Sequence, residues 1–375
     1  MNHISRGVRV ALAACVLGAA ACSSNVSTAG TATTTAAGAV TTTATGTATG
    51  AGTTASPTTI APDAPSTAAA KPSAGCGTST VKALDLDERT MTVGGVERQY
   101  LLTTPAAHDG KKPLALVLDH HGLSEGMKIH TQMSGFAEVA KKEGFVVAFP
   151  NGAGVPVHWD ITKATPNNDL DFIDALIDAL GKELCLDLTR VYSAGLSYGA
   201  IWSSFLTCHR AERFAAVGTV AGITIPKDCN PSRPMPVVAF HGTADPILTF
   251  NGGTGPGLTS LFGNKDPNAP TTAPPTTVPP DLTGPGYPQN AADWAKRNGC
   301  QATFKDSDVS KDVIKRVYDC PATASVEFYI IKGGGHAWPG SEFSKGIEKI
   351  VGPTTFDINA SELIWKFFQR FTLPA

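Results

Sequence analysis

Residues 76–375 predict an α/β fold built on a mostly parallel sheet with helices on both faces. Three observations lead there. First, "PLALVLD" (113–119), "FVVAFP" (145–150) and "MPVVAFHG" (235–242) are short, almost unbroken apolar runs, the pattern of strands buried on both faces. Second, segments with helical apolar spacing stand between such runs. Third, Gly- and Pro-rich stretches punctuate the two kinds of segment. Strands alternating with helices require crossover connections, and crossovers make strands parallel.

Taken in order, "MTVGGVERQYLLTTP" predicts two strands joined at Gly94-Gly95, a two-residue hairpin signal. "PLALVLD" is the first buried strand. "QMSGFAEVAKKEG" predicts a helix ending at Gly144, and "FVVAFP" a second buried strand. "DLDFIDALIDALGKEL" carries Leu170, Phe172, Ile173, Leu176, Ile177, Leu180 and Leu184 at helical spacing, with acids gathered near its start. "RVYSAG" is a third strand, and "YGAIWSSFLTCH" the helix after it. "FAAVGTVAG", "MPVVAFHG" and "VEFYIIKGGGH" supply further strands. "NASELIWKFFQRF" closes the domain as a helix with an Asn-x-x-Glu capping box.

The chain before residue 76 is of another kind. Arg6 and Arg9 precede the apolar run Val10–Ala21, which is too short to span a membrane and predicts a secretory signal. Small residues lead to Cys22, so residues 1–21 are expected to be a lipoprotein signal peptide and Cys22 the lipidated first mature residue. Cleavage before Cys15 would leave almost no apolar core in the signal. Residues 22–75 are nearly all Thr, Ala, Ser, Gly and Pro, and are expected to be a disordered tether. A second Thr/Pro-rich segment, at about 254–286, is expected to be a disordered surface insertion.

The formal net charge is −2, with no basic cluster, which argues against a nucleic-acid partner. Six cysteines remain from Cys76 onward, and an even count in an exported chain predicts three disulfides. None has the close spacing of a zinc site. Spacing by itself leaves the pairing open.

Two stretches contain Gly-Leu-Ser-x-Gly: "HHGLSEGM" around Ser124 and "SAGLSYGA" around Ser197. The pattern has physical content only as a sharp strand-to-helix turn that lifts a serine above a sheet. Ser197 has that context, between "RVYSAG" and the helix beginning at Tyr198. The residues after Ser124 keep no immediate helical pattern, so Ser124 is expected to be an exposed loop serine. In an α/β-hydrolase the loop after the first buried strand has a different task, donating a backbone N–H to an oxyanion. "HHGL" fits that task, with the N–H of Leu123 or its neighbour as one donor and that of Tyr198 as the other.

A nucleophilic serine needs a base, and the base an orienting acid, here in the order Ser, acid, His. His336, on the glycine-rich loop of "IIKGGGHAWPG", is the candidate base. His209 falls late in the helix after the elbow, and His241 is expected to shape a turn. Asp245, in "HGTADPI", is the candidate acid; Asp228, Asp266 and Asp281 fall in poorer contexts. The expected chemistry is acyl transfer from an ester to Ser197 and then to water, with no metal or organic cofactor. Trp159 and Trp338 are candidates to stack on an aromatic or sugar group.

"LDHHGLSEG", "GFVVAFPNG", "CLDLTRVYSAGLSYGA", "HGTADPI", "NAADWAKRNGC" and "GGGHAWPG" together resemble the secreted esterases of the polyhydroxybutyrate depolymerase and feruloyl esterase group. The resemblance covers nearly all of residues 76–375. It implies an α/β-hydrolase fold, a triad at Ser197, Asp245 and His336, and disulfides Cys208–Cys229 and Cys300–Cys320, leaving Cys76 with Cys185. The sequence therefore predicts an exported serine carboxylesterase, monomeric and anchored to the membrane through lipid. Its substrates would be hydroxyalkanoate, feruloyl or acetyl esters. The alternatives are a non-catalytic binding lipoprotein on a hydrolase scaffold and a serine peptidase.

Overall fold

Alternate residues of the central strands face opposite sides of one sheet, and both sides are buried. In β3 (Leu114–His120), Leu114, Leu116 and Leu118 enter one apolar core, while Ala115 and Val117 enter the other. That two-sided burial is why the strand reads as an unbroken apolar run. The computed structural model describes residues 69–227, 229–258 and 279–374. The expected signal peptide, Cys22 and all of the expected tether before residue 69 lie outside the described residues.

The other strands are β1 (Leu84–Val93), β2 (Val96–Thr104), β4 (Val146–Pro150), β5 (Leu186–Leu196), β6 (Ala216–Val220), β7 (Val237–Gly242), β8 (Phe304–Asp308), β9 (Val313–Tyr318) and β10 (Val326–Ile331). Among the described residues they form one sheet in the order β1-β2-β4-β3-β5-β6-β7-β10-β9-β8. From β4 to β10 the neighbours are parallel, and the antiparallel pairs lie toward the two edges. This is the α/β-hydrolase fold. The hairpin at its start is as expected: Val93 pairs with Val96, and Gly94 and Gly95 turn with φ of 58° and 79°.

Helices cover both faces. The helix α3 (Asn168–Glu183), α4 (Tyr198–His209) and α5 (Tyr287–Arg297) pack into one core, which holds Phe172, Trp202 and Trp294. The opposite core receives α1 (Gly126–Ser134), α2 (Phe136–Glu143) and α8 (Ala360–Phe368), which bring Met127, Phe136 and Trp365. Two short helices, α6 (Glu342–Gly346) and α7 (Glu348–Val351), lie between β10 and α8. Asn167 caps α3 by accepting from Asp169 N and Leu170 N, and Asn359 caps α8 by accepting from Glu362 N.

Several expectations need correction. The helix expected from Gln132 to Gly144 is two helices, broken at Gly135, whose left-handed backbone (φ 63°) caps α1. The strands β8 and β9 were not expected: β8 has no apolar signature to find, being exposed along its whole length, and β9 buries polar Arg316 beside Val313 and Tyr318. The folded domain also starts earlier than Cys76. Lys71 and Ser73 pair with the start of β5: Ser73 N donates to Leu186 O (2.8 Å), Leu188 N to Lys71 O (2.9 Å), and Ser73 Oγ to Leu184 O (2.7 Å). Of the expected insertion at about 254–286, residues 259–278 lie outside the described residues; at its margins Asn251 Nδ2 donates to Asp281 O (2.7 Å) and Pro285 O (3.1 Å).

The disulfides are Cys76–Cys185, Cys208–Cys229 and Cys300–Cys320, the pairing the resemblance implied. The first spans 109 residues and fastens the start of the domain beside β5. A cross-link over so long a loop restricts the unfolded chain strongly. Replacing Cys76 and Cys185 together by Ser should cost about 2–4 kcal/mol, read as a lower urea midpoint than that of the oxidised wild type.

Candidate active site

Because β3, β5, β6, β7 and β10 are parallel, their carboxyl ends open at one edge of the sheet. Ser197 follows β5, Asp245 follows β7 and His336 follows β10, so one edge collects all three. Ser197 sits between β5 and α4 with φ 55° and ψ −119°, a backbone that L-residues rarely adopt. Hydrogen bonds hold it there: Ser197 N donates to Val220 O (2.8 Å), and Ser197 O accepts from Ala200 N and Ile201 N (both 3.0 Å). The flanking glycines are a steric necessity. A Cβ on Gly199 would stand 2.1 Å from His120 O, and one on Gly195 2.5 Å from Gly199 O. Tyr198 is the first residue of α4, where a helix leaves its N–H without an internal partner.

The "HHGL" loop lies against this turn. A Cβ on Gly122 would come within 3.5 Å of the Ser197 Cβ. His121 is buried and bonded at both nitrogens: Nδ1 faces Gly122 O (2.7 Å) and Nε2 accepts from Gly152 N (2.8 Å). Burial lowers its pKa to about 4, so it is neutral, with the proton on Nδ1. Gly122 N donates to Glu125 Oε2 (2.6 Å). Leu123 is half-buried, and no partner of its N–H is present among the described residues.

Asp245 is buried and fully engaged. Oδ1 accepts from Ile247 N (2.8 Å) and Leu248 N (2.9 Å), and Oδ2 accepts from His336 Nδ1 (2.8 Å). Gly242 permits the approach, since a Cβ there would lie 2.1 Å from Gly334 O of the opposing loop, and Gly335 lets the His336 loop pack on α7, since a Cβ there would lie 2.1 Å from Val351 O. Burial pushes the Asp245 carboxyl up, but His336 and His241 outweigh it and hold the group well below the usual carboxylate range.

His241 shapes the turn as expected, through Nε2–H to Leu248 O (2.9 Å). It also does what the sequence reading did not foresee. The same nitrogen lies 3.2 Å from Asp245 Oδ2, and the ring stacks on Tyr287 with centroids 3.6 Å apart. Asp245 is therefore flanked by two imidazoles. The spacing of "HGTAD" was the available signal, since it returns the carboxylate to its own histidine across a tight turn.

Other candidates are displaced. Trp159 is fully buried, stacked on Trp202 at 5.3 Å, with Nε1 donating to His121 O (3.0 Å). Trp338 is 1% exposed, with Nε1 donating to Ser361 Oγ (3.0 Å) and its ring against His130 and Phe136. Neither offers a ring face for stacking on a ligand; both wedge the site's loops from behind. Ser124 is exposed, as expected, but α1 begins two residues later and Ser124 itself has φ 64°, so it too sits in a strand–turn–helix context. The helix was missed because three of the five residues it buries, His130, Thr131 and Ser134, are polar, leaving only Met127 and Met133 as apolar signal. Asp281 caps a surface turn at Thr283, His209 packs on Phe205, and Asp228 and Asp266 lie outside the described residues.

Known proteins bear on this geometry. Over 329 residues the chain is 30% identical to a Nocardia uniformis subsp. tsuyamanensis protein named "Putative esterase NocK", covering 84% of this chain and 91% of that one. The chain belongs to this esterase family. The esterase is also 27% identical over 286 residues to feruloyl esterase B of Piromyces equi, covering 74% of this chain. It spans 46% of the length of that relative. Among solved structures, the acetyl xylan esterase from Aspergillus awamori aligns with a TM-score of 0.47 at 14% identity, over 70% of this chain and 98% of the other. No family model matches. The esterase is a carboxylic ester hydrolase by kinship, and among its described residues no helix is long and apolar enough to cross a membrane.

The depressed Asp245 pKa has a consequence for stability. A carboxyl lowered on folding stabilises the native state above its unfolded pKa of about 4, and that contribution fades as pH falls through the lower native value. Asp245→Asn should therefore lower the melting temperature at pH 7, and the gap from wild type should narrow between about pH 4 and pH 3. Melting curves of both proteins across that range test this; a constant gap would contradict it.

Proposed function

We propose that this protein is an exported serine esterase in which Ser197 is the nucleophile, His336 the general base and Asp245 the orienting acid. The observation that carries the reading is the buried Asp245–His336 hydrogen bond (2.8 Å) at the same sheet edge as the strained Ser197 turn. Ionised Asp245 accepts a hydrogen bond from His336 Nδ1–H, which keeps the proton on Nδ1 and leaves Nε2 with a lone pair to take the Ser197 proton. Ser197 Oγ bonds to the ester carbonyl carbon, and the resulting oxyanion is met by the N–H groups of Tyr198 and Leu123. His336 returns its proton to the departing alcohol as the ester bond breaks. A water, deprotonated by the same imidazole, then attacks the acyl-enzyme and releases the acid.

For the substrate class we propose hydroxycinnamoyl or acetyl esters, supported by relatives named as feruloyl esterases and as a bifunctional acetylxylan esterase/xylanase. Methyl ferulate, acetylated xylan and hydroxybutyrate oligomers, compared by kcat/KM, test it. A preference for the hydroxybutyrate oligomers would replace this substrate assignment with the polyester one. Export through a lipidated Cys22 is supported by the basic front at Arg6 and Arg9 and the apolar run before the cysteine. Cys22→Ala should move the protein out of the membrane fraction.

The two serines give the sharpest test of mechanism. Ser197→Ala should lower kcat with a p-nitrophenyl ester on the order of 10⁶-fold, whereas Ser124→Ala should keep most activity. An active Ser197→Ala enzyme would overturn the proposed chemistry.

A further inference from the structure

Behind the His120–Glu125 loop lies a buried charge cluster that the proposed triad does not use. Glu125 closes the loop just before α1, and its Oε2 accepts the Gly122 N–H at 2.6 Å. Both its oxygens lie 3.2 Å from His130 Nδ1, and His130 Nε2 lies 3.0 Å from Asp119 Oδ1. The side chains of Asp119 and His130 are fully buried, and that of Glu125 is 9% exposed.

Each ring nitrogen of His130 thus faces a carboxylate. A neutral imidazole has one N–H and would turn a lone pair toward one of the two carboxylates, so the geometry favours the doubly protonated ring, with Nε2 in close but poorly aligned contact with Asp119. Asp119 makes the same demand. Neither of its oxygens has a well-aligned hydrogen-bond donor among the described residues, so the charge on His130 is what compensates its burial. The electrostatics agree. Burial would lower the His130 pKa, yet Asp119 and Glu125 raise it to about 10. Burial would raise that of Glu125, yet His130 and the Gly122 N–H hold it below the usual range.

The cluster reaches the reacting atoms through one peptide. A Cβ built on Gly122 would lie 3.1 Å from Glu125 Oε2 and 3.5 Å from Ser197 Cβ, so Gly122 stands between the carboxylate and the serine. The Gly122 N–H is occupied by Glu125, which removes it as an oxyanion donor and leaves Leu123 N–H next in the loop.

We infer that Glu125, braced by His130 and Asp119, is the positioning residue of the Gly122–Leu123 peptide and fixes Leu123 N–H as the second oxyanion donor. This rests on the reading of Ser197 as nucleophile. Glu125 is expected to act on the transition state alone, because it touches no substrate and holds a donor that matters only when charge develops on the carbonyl oxygen.

The experiment compares Glu125→Ala and Glu125→Gln with wild type in p-nitrophenyl acetate kinetics, melting temperature and affinity for phenylboronic acid, which forms an anionic tetrahedral adduct on a nucleophilic serine. Glutamine can keep the clamp: its carbonyl accepts Gly122 N–H, while its amide donates to a His130 that has given up the Nδ1 proton. Glu125→Ala should lose about 10–100-fold in kcat, with KM within about threefold and boronate affinity falling in step, since loosening a donor costs no more than deleting one. Glu125→Gln should recover to within about tenfold of wild type. A folded Glu125→Ala enzyme with wild-type kcat overturns the inference; so does a loss confined to KM, or a glutamine variant no better than alanine. Should Glu125→Ala not fold, Glu125→Asp decides, because its carboxylate is one methylene short of Gly122 N: reduced kcat supports the assignment and wild-type kcat overturns it. An active Ser197→Ala enzyme would instead sink the underlying reading, a result separable from these.

Discussion

The close approach of the β5–α4 turn to the end of β3 is the constraint on which the site depends. His120 O occupies space where a Cβ on Gly199 would have to be, at 2.1 Å. Gly195 is crowded by the same carbonyl and by Gly199 O. Because no side chain intervenes, backbone meets backbone, and the serine between the two glycines is lifted at a positive φ that it would not adopt alone. The same contact brings the loop after β3 against Ser197. Elbow and loop are therefore one packed unit.

A second backbone-on-backbone contact organises the other half. Gly242 lets the loops after β7 and β10 touch, its missing Cβ leaving room for Gly334 O, and the Asp245 and His336 side chains meet across that contact. Burial of Asp245 would by itself favour the neutral acid. Two backbone N–H donors and two imidazoles reverse that preference and keep the carboxylate ionised. The site thus contains two buried carboxylate–histidine groupings, one at Asp245 and one at Glu125, and each supports a different loop of the same sheet edge. Trp159 and Trp338, which the sequence suggested as ligand contacts, serve instead as fully packed wedges behind those loops.

Much of this was legible because it rests on local pattern. β3, β4 and β7 announce themselves as apolar runs, α3 by its spacing, and the hairpin by Gly94-Gly95, since periodicity and turn chemistry act over a few residues. Where the reading failed, the deciding interaction was distant or polar. α1 buries His130, Thr131 and Ser134, so its inner face carries no apolar stripe. The segment 71–73 looked like tether by composition, yet its backbone pairs with 186–188, which composition cannot reveal.

By itself, the sequence determined the fold class, the order of the central strands with α3, α4 and α8, the strand–Ser197–helix junction and the residue types that could carry acyl transfer. Those follow from short-range periodicity and from glycines whose spacing permits only one kind of turn. Only the tertiary structure decided that Asp245 and His336 meet, that His241 joins them, that the two tryptophans are walls, and that a buried Asp119–His130–Glu125 cluster stands behind Gly122. The physical reason is that Asp245 and His336 meet only because β7 and β10, far apart in the chain, lie side by side in the sheet, while the other contacts depend on how buried polar and aromatic side chains turn and pack, which periodicity does not encode.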